Sequence, residues 1–139
     1  MIKSLLAVLL VAAPAVAPRT MRVDYFHAGT ATEETFSLDG IVVEGAWPGP
    51  SDRRLDETNL GKYFFVVLDR ATNRPLYSRG FASIYGEWET TGEAKEEQRT
   101  FHESIRFPEP AGPVQIVLKK RDRQNAFREV WSVVLDPAD

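Results

Sequence analysis

The chain has 139 residues, no cysteine, and 17 basic against 20 acidic residues, which gives a net charge of −3. This length fits one domain, since domains commonly run about 100 to 150 residues. The acidic balance argues against a nucleic-acid-binding protein, which needs a basic excess to neutralise phosphates. Because there is no cysteine, no disulfide can staple the fold, and its stability has to come from packing.

The first residues are typical of an export signal. A lysine near the start precedes an apolar run over residues 5–13, which is too short for a membrane span of about 20 residues. Small residues fit a cleavage site after Ala15 or Ala17. We therefore expect residues 1–17 to be a signal peptide. Residues 18–139 should form one exported domain, periplasmic or secreted, with no membrane span in the mature chain.

Alternation of apolar and polar residues with a period of two predicts strands along most of the remaining chain. A first strand begins near Met21, and a second begins near Phe36 and runs to Ile41-Val42-Val43. Asp39-Gly40 indicates either a hairpin turn or a kink in one long strand, and both alternatives stay open. Residues 63–68 form an uninterrupted apolar run, typical of a central strand buried on both faces.

The later part of the chain predicts more strands and one helix. Strands are expected over residues 76–85, 101–107, 114–118 and 127–135. One face of the last strand should carry Phe127, Glu129, Trp131, Val133 and Leu135. A helix is expected over residues 90–97, with Thr90 or Thr91 as its N-cap. About seven short strands with regular turns predict an all-β fold, an antiparallel β-sandwich of immunoglobulin-like architecture with one short helical insert.

Residues 45–61 are predicted to form a long loop rich in proline, glycine and charge. The length exceeds that of ordinary connections, so the loop is a candidate functional or interface segment. Its oxygen-bearing side chains could ligate calcium, although their spacing does not match an EF-hand. A solvated acidic loop is the favoured interpretation. The residues concerned are Asp52, Asp56, Glu57 and Asn59.

The chain carries a basic run over residues 119–123, in the order Lys-Lys-Arg-Asp-Arg, with Arg128 nearby. Such a run can form a patch that binds a polyanion or a partner protein. It can also mark a strand end whose charges discourage edge-to-edge pairing. The second interpretation is favoured, partly because a glutamate-rich stretch over residues 93–97 offsets the charge.

The strongest hint of catalysis is His102-Glu103, which begins the HExxH pattern of zinc proteases. Arg106 occupies the position of the second histidine, and in a strand it would lie about 13 Å from His102. A metal site built from His102, His27 and a carboxylate is the less favoured alternative to two partly exposed strand histidines. We therefore predict no catalytic residue, no metal ligand and no cofactor in this chain.

Four residues form the remaining candidate for a domain-interface or ligand surface: Trp47, Tyr85, Glu87 and Trp88. Trp47 lies in the Pro/Gly loop, whereas the other three are close together in sequence. Aromatic residues outside regular alternation can stack on sugars, anchor an interface or cap the end of a core. Capping is the favoured interpretation, followed by a domain interface.

The segment SRGFASIYGEWETTGEAKEEQRTFHESIRFP, residues 78–108, resembles the N-terminal domain of the IgA-peptidase-like zinc metallopeptidases. The likeness extends over nearly all of the mature chain, through MRVDYFHAGTATEETFSLDGIVVEGAWPG, LGKYFFVVLDRATNRPLYSRGFASIYGEWETT and VLKKRDRQNAFREVWSVVLDP. The resemblance implies an exported zinc peptidase whose HExxH domain lies further along the chain. Zinc is implied only for that domain, which this chain lacks.

The resemblance predicts a non-catalytic N-terminal module whose partner is a downstream protease domain, and a protein substrate is a second expected partner. A fragment, a truncated gene or an isolated domain is then expected. The alternative is a stand-alone secreted module that binds carbohydrate or protein through Trp47, Tyr85 and Trp88. That alternative requires these three side chains to be exposed and grouped on one surface.

Overall fold

A computed structural model describes residues 16–139, and the core of the predicted export signal lies outside these residues. The described chain forms seven strands in two antiparallel sheets, with strand orders β2-β1-β5 and β4-β3-β6-β7. The strands are β1 (Arg19–Gly29), β2 (Glu34–Ala46), β3 (Tyr63–Asp69), β4 (Pro75–Phe81), β5 (Arg99–Pro108), β6 (Val114–Arg121) and β7 (Phe127–Leu135). This confirms the predicted all-β sandwich. Among residues 16–139 no helix has the length and apolar character that crossing a bilayer requires.

The core lies between the two sheets and follows from strand alternation. Met21, Val23 and Tyr25 share the inner face of β1 and are each no more than 1% exposed. The inner face of the other sheet adds further buried side chains, namely Phe65, Val67, Tyr77, Val114, Ile116, Leu118 and Leu135. Val66, on the outer face of β3, is only 9% exposed, but Phe64 and Leu68 on the same face are half-buried, so the predicted burial on both faces holds at Val66 only.

β2 is one long strand with a β-bulge, which decides between the two alternatives left open by the sequence. Gly40 pairs with Asp24, whereas Leu38 pairs with the next residue, Tyr25. Asp39 therefore has no counterpart in β1 and is the extra residue of the bulge. The Asp39-Gly40 pair bends the strand and does not reverse the chain.

A second bulge corrects the predicted stripe of the last strand. The ladder between β6 and β7 is irregular between Trp131 and Glu129, which leaves Val130 unmatched. One extra residue moves all preceding side chains to the other face. Phe127 and Glu129 therefore lie on the outer face, where the Phe127 ring packs 5.2 Å from that of Phe64.

The helical insert begins earlier than predicted. β4 ends at Phe81, and a five-residue helix, α1 (Ile84–Trp88), follows an N-cap at Ser83. The Ser83 hydroxyl accepts a hydrogen bond from the backbone N–H of Gly86 at 2.8 Å, which satisfies one of the unpaired donors of the first turn. Thr90 lies beyond the end of α1, and only a 3₁₀ turn (Glu93–Lys95) falls within the predicted helical range.

The long loop lies against the free edge of β4. The Ser78 N–H donates to the Arg54 carbonyl at 2.9 Å, and the Gly80 N–H donates to the Asp56 carboxylate at 2.8 Å. These hydrogen bonds cover backbone groups that an edge strand otherwise exposes. The Gly80 hydrogen bond, followed by those from Thr58, also holds the pKa of Asp56 below its ordinary value.

Candidate functional site

The two ends of the sandwich differ in chemistry, and each contains residues of functional interest. We call the end that holds the last residues of β1, the first residues of β2 and β3, and α1 the His27 end. The opposite end is called the Trp47 end. It holds the first residues of β1, the last residues of β2 and the C-terminal residue of β7.

His27 continues the inner row of β1 and is fully buried, which corrects the prediction of a partly exposed histidine. Its imidazole lies between two aromatic rings, with centroid distances of 4.1 Å to Phe36 and 3.9 Å to Tyr85. The edge of Tyr63 closes a third side at 5.6 Å. An inward position on β1 combined with aromatic neighbours from β2, β3 and α1 explains the burial.

Both ring nitrogens of His27 meet carboxylates. Nδ1 lies 3.1 Å from Oε2 of Glu103, and Nε2 lies 2.9 Å from Oε2 of Glu34. A carboxylate only accepts hydrogen bonds, so this arrangement favours an imidazolium with both N–H groups donating. Burial acts to lower the pKa of His27, but the hydrogen bonds to Glu103 and Glu34 outweigh it and the pKa is raised.

Glu34, at the start of β2, accepts hydrogen bonds from three donors. Besides His27, it accepts from the Tyr63 hydroxyl and from Nζ of Lys120, each at 2.9 Å. Burial opposes its ionisation, but His27 and Lys120 together lower the pKa of Glu34 to about 2. Lys120 also donates to Glu89 at 2.7 Å, so the ammonium joins β2 to the residue that caps α1.

Glu103 fixes the opposite side of the insert. Its carboxylate accepts from the Tyr25 hydroxyl and from the Tyr85 backbone N–H, each at 3.2 Å. The Tyr85 hydroxyl in turn donates to the carbonyls of Thr30 and Glu33 at 2.6 and 2.9 Å. We call these connected residues the His27 network. Its members are Tyr25, His27, Glu34, Tyr63, Tyr85, Glu89, Glu103 and Lys120.

The His27 network joins several elements of the fold, and the spaces that border it are smaller than common ligand sites. Two spaces border it, one of about 60 Å³ beside Glu34 and Lys120 and one of about 270 Å³ beside Tyr25 and Glu103, whereas ligand sites commonly span about 300 to 1,000 Å³. Each ionised group is paired within the network, as buried charges require. The network therefore fixes α1 and the start of β2 to the two sheets.

The described residues do not fit the zinc site of a peptidase. His102 lies on the outer face of β5 and contacts Asp39 at 2.9 Å, while Glu103 points inward to His27. Strand alternation thus separates the two residues that begin the HExxH pattern. Residues 16–139 contain no group of three metal-ligating side chains, and this includes the acidic loop considered for calcium.

The basic run is largely engaged within the fold. Lys120 points into the His27 network, and the Arg121 guanidinium lies 4.1 Å over the Phe127 ring while its Nε donates to the Gly61 carbonyl. Arg128 pairs with Asp122 at 2.9 Å across the turn that joins β6 to β7. These contacts leave few charges available for a polyanion.

Trp47 lies at the opposite end from Tyr85, Glu87 and Trp88. It packs edge-on against Tyr77 with ring centroids 5.5 Å apart. Its indole N–H is buried and finds no acceptor among the described residues. Gly49 lies directly over the indole, since a Cβ at that position would come within 2.6 Å of Cζ2 of Trp47.

A cleft of about 430 Å³ opens beside Trp47 between the two sheets. Tyr77 forms part of its wall, together with the stretch from Pro108 to Gly112 and two arginines, Arg54 and Arg74. Both arginines are exposed, and neither forms an ion pair within residues 16–139. Leu135 pairs with Val114 at this end, so the chain leaves the last strand beside the cleft.

The structure separates the four predicted surface residues. Tyr85 is fully buried and Trp88 is 8% exposed, in a small cluster with Ala94, whereas Glu87 is exposed. Trp47 is partly buried at the other end. The aromatic residues therefore do not share one exposed surface, which was the condition for a sugar-stacking or peptide-binding platform. An interface role for these residues stays a prediction.

The sequence reasoning missed the His27 network, although two signals for it were present. The inner row of β1 reads Met21, Val23, Tyr25 and then His27, so the alternation itself predicts an inward histidine. Glu103 occupies the inward face of β5 in the same way. An inward histidine and an inward glutamate on neighbouring strands predict a buried ion pair.

Comparison with known protein families identifies the family of this chain. A family model described as the N-terminus of Peptidase M64 matches residues 14–132, which covers all but the last residues of β7. Comparison with the curated proteins finds no match. A match over most of the chain establishes the family, and the chain therefore belongs to the Peptidase M64 N-terminal domain family.

Proposed function

We propose that the chain is the non-catalytic N-terminal β-sandwich module of an exported, IgA-peptidase-like zinc metallopeptidase. The observation that carries this proposal is the family match over residues 14–132. The apolar run and small residues near the start of the chain support export. Zinc belongs, in this proposal, to the catalytic domain and not to the sandwich.

Two features of the site support a non-catalytic role. The ionisable groups of the His27 network pair with one another, and the two spaces that border it, about 60 and 270 Å³, are smaller than common ligand sites. The other histidine, His102, is on an exposed strand face with Asp39 as its partner. A general base must reach the proton that it removes, and neither histidine faces a cleft of peptide size.

The Trp47 end is the surface that we propose for contact with the protease domain. It combines a cleft of about 430 Å³ with a buried indole N–H that finds no acceptor among residues 16–139. Arg54 and Arg74 add two guanidinium groups suited to carboxylates of a partner. A domain joined after Asp139 would begin beside this cleft, because β7 ends there.

Contact between the Trp47 end and the protease domain would stabilise the protease domain. The function of the module is then to support the fold of that domain. The opposite end contributes by being rigid, since the His27 network holds the insert and β2 in place. Substrate presentation is a weaker expectation, because the aromatic residues are not grouped on an exposed face.

The test uses the purified chain and the separately purified, zinc-loaded catalytic domain of an M64 peptidase. We expect the chain alone to hydrolyse a denatured protein no faster than a blank. We expect it to bind the catalytic domain in calorimetric titrations and to raise that domain's thermal midpoint. Replacing both Arg54 and Arg74 with Glu should weaken this binding by about tenfold or more.

The matched control is Arg123→Glu, because Arg123 is an exposed arginine in the turn at the His27 end. It should leave binding unchanged. Chelator-sensitive hydrolysis by the chain alone would overturn the non-catalytic role. Absence of both binding and stabilisation would overturn the supporting role, and equal losses from the Arg54/Arg74 pair and from Arg123 would remove the proposed surface.

A further inference from the structure

The outer edge of β2 carries the most continuous exposed apolar segment among the described residues. Leu38, Ile41, Val42 and Val43 are each between 37% and 42% exposed. β2 is the edge strand of its sheet and pairs only with β1 within residues 16–139. An apolar edge strand is a template for pairing with another strand.

The contrast with β4 shows that this edge is unusual. The loop hydrogen bonds of Arg54 and Asp56 cover the edge of β4. β2 has no such cover from the described residues, and its central segment, residues 40–43, contains neither a charge nor a proline. Proteins normally protect edges of this kind with charges, prolines or a covering loop.

The ionisable residues near this segment contact partners inside the domain. Asp39 pairs with His102 at 2.9 Å. Glu44 pairs with Arg22 and Arg106 at 2.5 and 3.1 Å. Residues 40–43 themselves carry no charge, so this part of the edge fits a strand that is itself uncharged and apolar.

β2 is complementary to a second copy of itself. In an antiparallel pair centred on Val42, Ile41 of one copy lies opposite Val43 of the other, and Gly40 lies opposite Glu44. No like charges face each other in this register. Ile41 and Val43 belong to the inward row, since they pair with the core residues Val23 and Met21, so the pairing would extend the core.

We propose that two copies of the chain associate through β2 about a two-fold axis at Val42. The two three-stranded sheets become one continuous sheet of six strands. The interface leaves the Trp47 cleft open, because none of the residues that line the cleft belongs to β2. The association does not depend on the proposed function, and each can be tested without the other.

The test measures the molar mass of residues 16–139, which contain all seven strands, by light scattering over a range of concentrations. We expect a dimer at high concentration that dissociates on dilution. Val42→Lys should weaken the dimer by about tenfold, because two like charges meet at the axis. Val42→Glu should do the same, and an equimolar mixture of the two variants should restore a dimer. Val134→Lys, on β7 with 53% exposure, is the control and should keep it.

A covalent readout locates the axis. Because the chain has no cysteine, Val42→Cys introduces the sole thiol, and opposed residues of an antiparallel pair lie about 4.5 to 5.5 Å apart at Cα, within disulfide range. Oxidation should cross-link this variant and leave Val134→Cys without a cross-link. A monomer at every concentration overturns the proposal, as does a dimer that survives both single-charge variants.

Discussion

The two ends of the sandwich use polar groups in opposite ways. At the His27 end, a buried histidine, two half-buried glutamates and a lysine satisfy one another within one network. At the Trp47 end, a buried indole N–H lacks an acceptor among residues 16–139 and two exposed arginines lack ion-pair partners there. Native proteins leave few buried polar groups unsatisfied.

This difference indicates which end stabilises the fold and which end is available for a partner. A network with every charge paired stabilises its own domain and gains nothing from a second protein. An end with unpaired donors beside a cleft gains hydrogen bonds when another domain covers it. Each prediction below tests this division.

The largest expected effect follows from removing the centre of the network. His27→Ala removes the shared partner of the half-buried Glu34 and Glu103 and empties a site packed between aromatic rings, and we expect the free energy of unfolding to fall by about 3 to 5 kcal/mol. Urea denaturation measures this loss. His102→Ala, at the exposed histidine, should cost less than about 0.5 kcal/mol. Similar losses for the two histidines would contradict the division between them.

Deprotonation of His27 should lower the stability less than His27→Ala does, because the neutral imidazole still packs between its aromatic neighbours. The pKa of His27 is raised above 6.5, so its contribution is complete below pH 6.5 and is lost as the pH rises through the raised value. The pKa of Glu34 is lowered from 4.5 to about 2, so its contribution is complete above pH 4.5 and is lost as the pH falls towards 2. The network should therefore be strongest between pH 4.5 and 6.5.

Urea unfolding at a series of pH values checks this window. The difference in stability between the wild type and His27→Gln should shrink as the pH rises above 6.5. A stability difference that stays constant from pH 5 to pH 9 would contradict a raised pKa of His27 in the folded state.

Trp88 and Trp47 form a matched pair for substitution, because the indole N–H of Trp88 has an acceptor in the described chain and that of Trp47 has none. The Trp88 indole N–H donates to Glu93 at 2.6 Å, so Trp88→Phe should cost about 1 kcal/mol of hydrogen bonding in addition to lost packing. Trp47→Phe removes an N–H that has no acceptor in the described chain, so the packing loss should be offset in part. Thermal unfolding of both variants measures the difference. A larger loss for Trp47→Phe would contradict the comparison.

Glu87→Ala should have the smallest effect. Glu87 is exposed on α1 and forms no side-chain hydrogen bond or ion pair within the described chain. We expect a change within about 0.5 kcal/mol in stability. The same denaturation curves measure it, and a loss above about 1 kcal/mol would assign this residue a role that its contacts do not explain.

Strand alternation predicted most of the fold because a sandwich buries one face of each strand. It predicted the strands that became β1, β3 and β6, which supply much of the core between the sheets. It failed at Val130, because one bulge residue moves every residue before it to the other face of the strand. A bulge of this kind cannot be recognised in an apolar stretch of sequence. It also misplaced the helix, because the cap that starts α1 is Ser83, inside an apparent strand.

The site was less predictable than the fold. The His27 network brings together residues from six elements, and local sequence patterns do not reveal long-range pairing of this kind. Tyr85 was singled out for its position outside regular alternation, and the structure uses it as a buried bridge. Sequence patterns reveal that such an aromatic is special but not whether it faces the core or a partner.

The most direct test of the central claim is hydrogen exchange of residues 16–139, measured alone and joined to the catalytic domain of an M64 peptidase. The account predicts that exchange slows at residues 47–49 and 108–112, beside the Trp47 cleft. It predicts no change at residues 27–34 and 84–89, which are protected already in the free chain. Slower exchange confined to the His27 end, with none at the Trp47 end, would contradict the account.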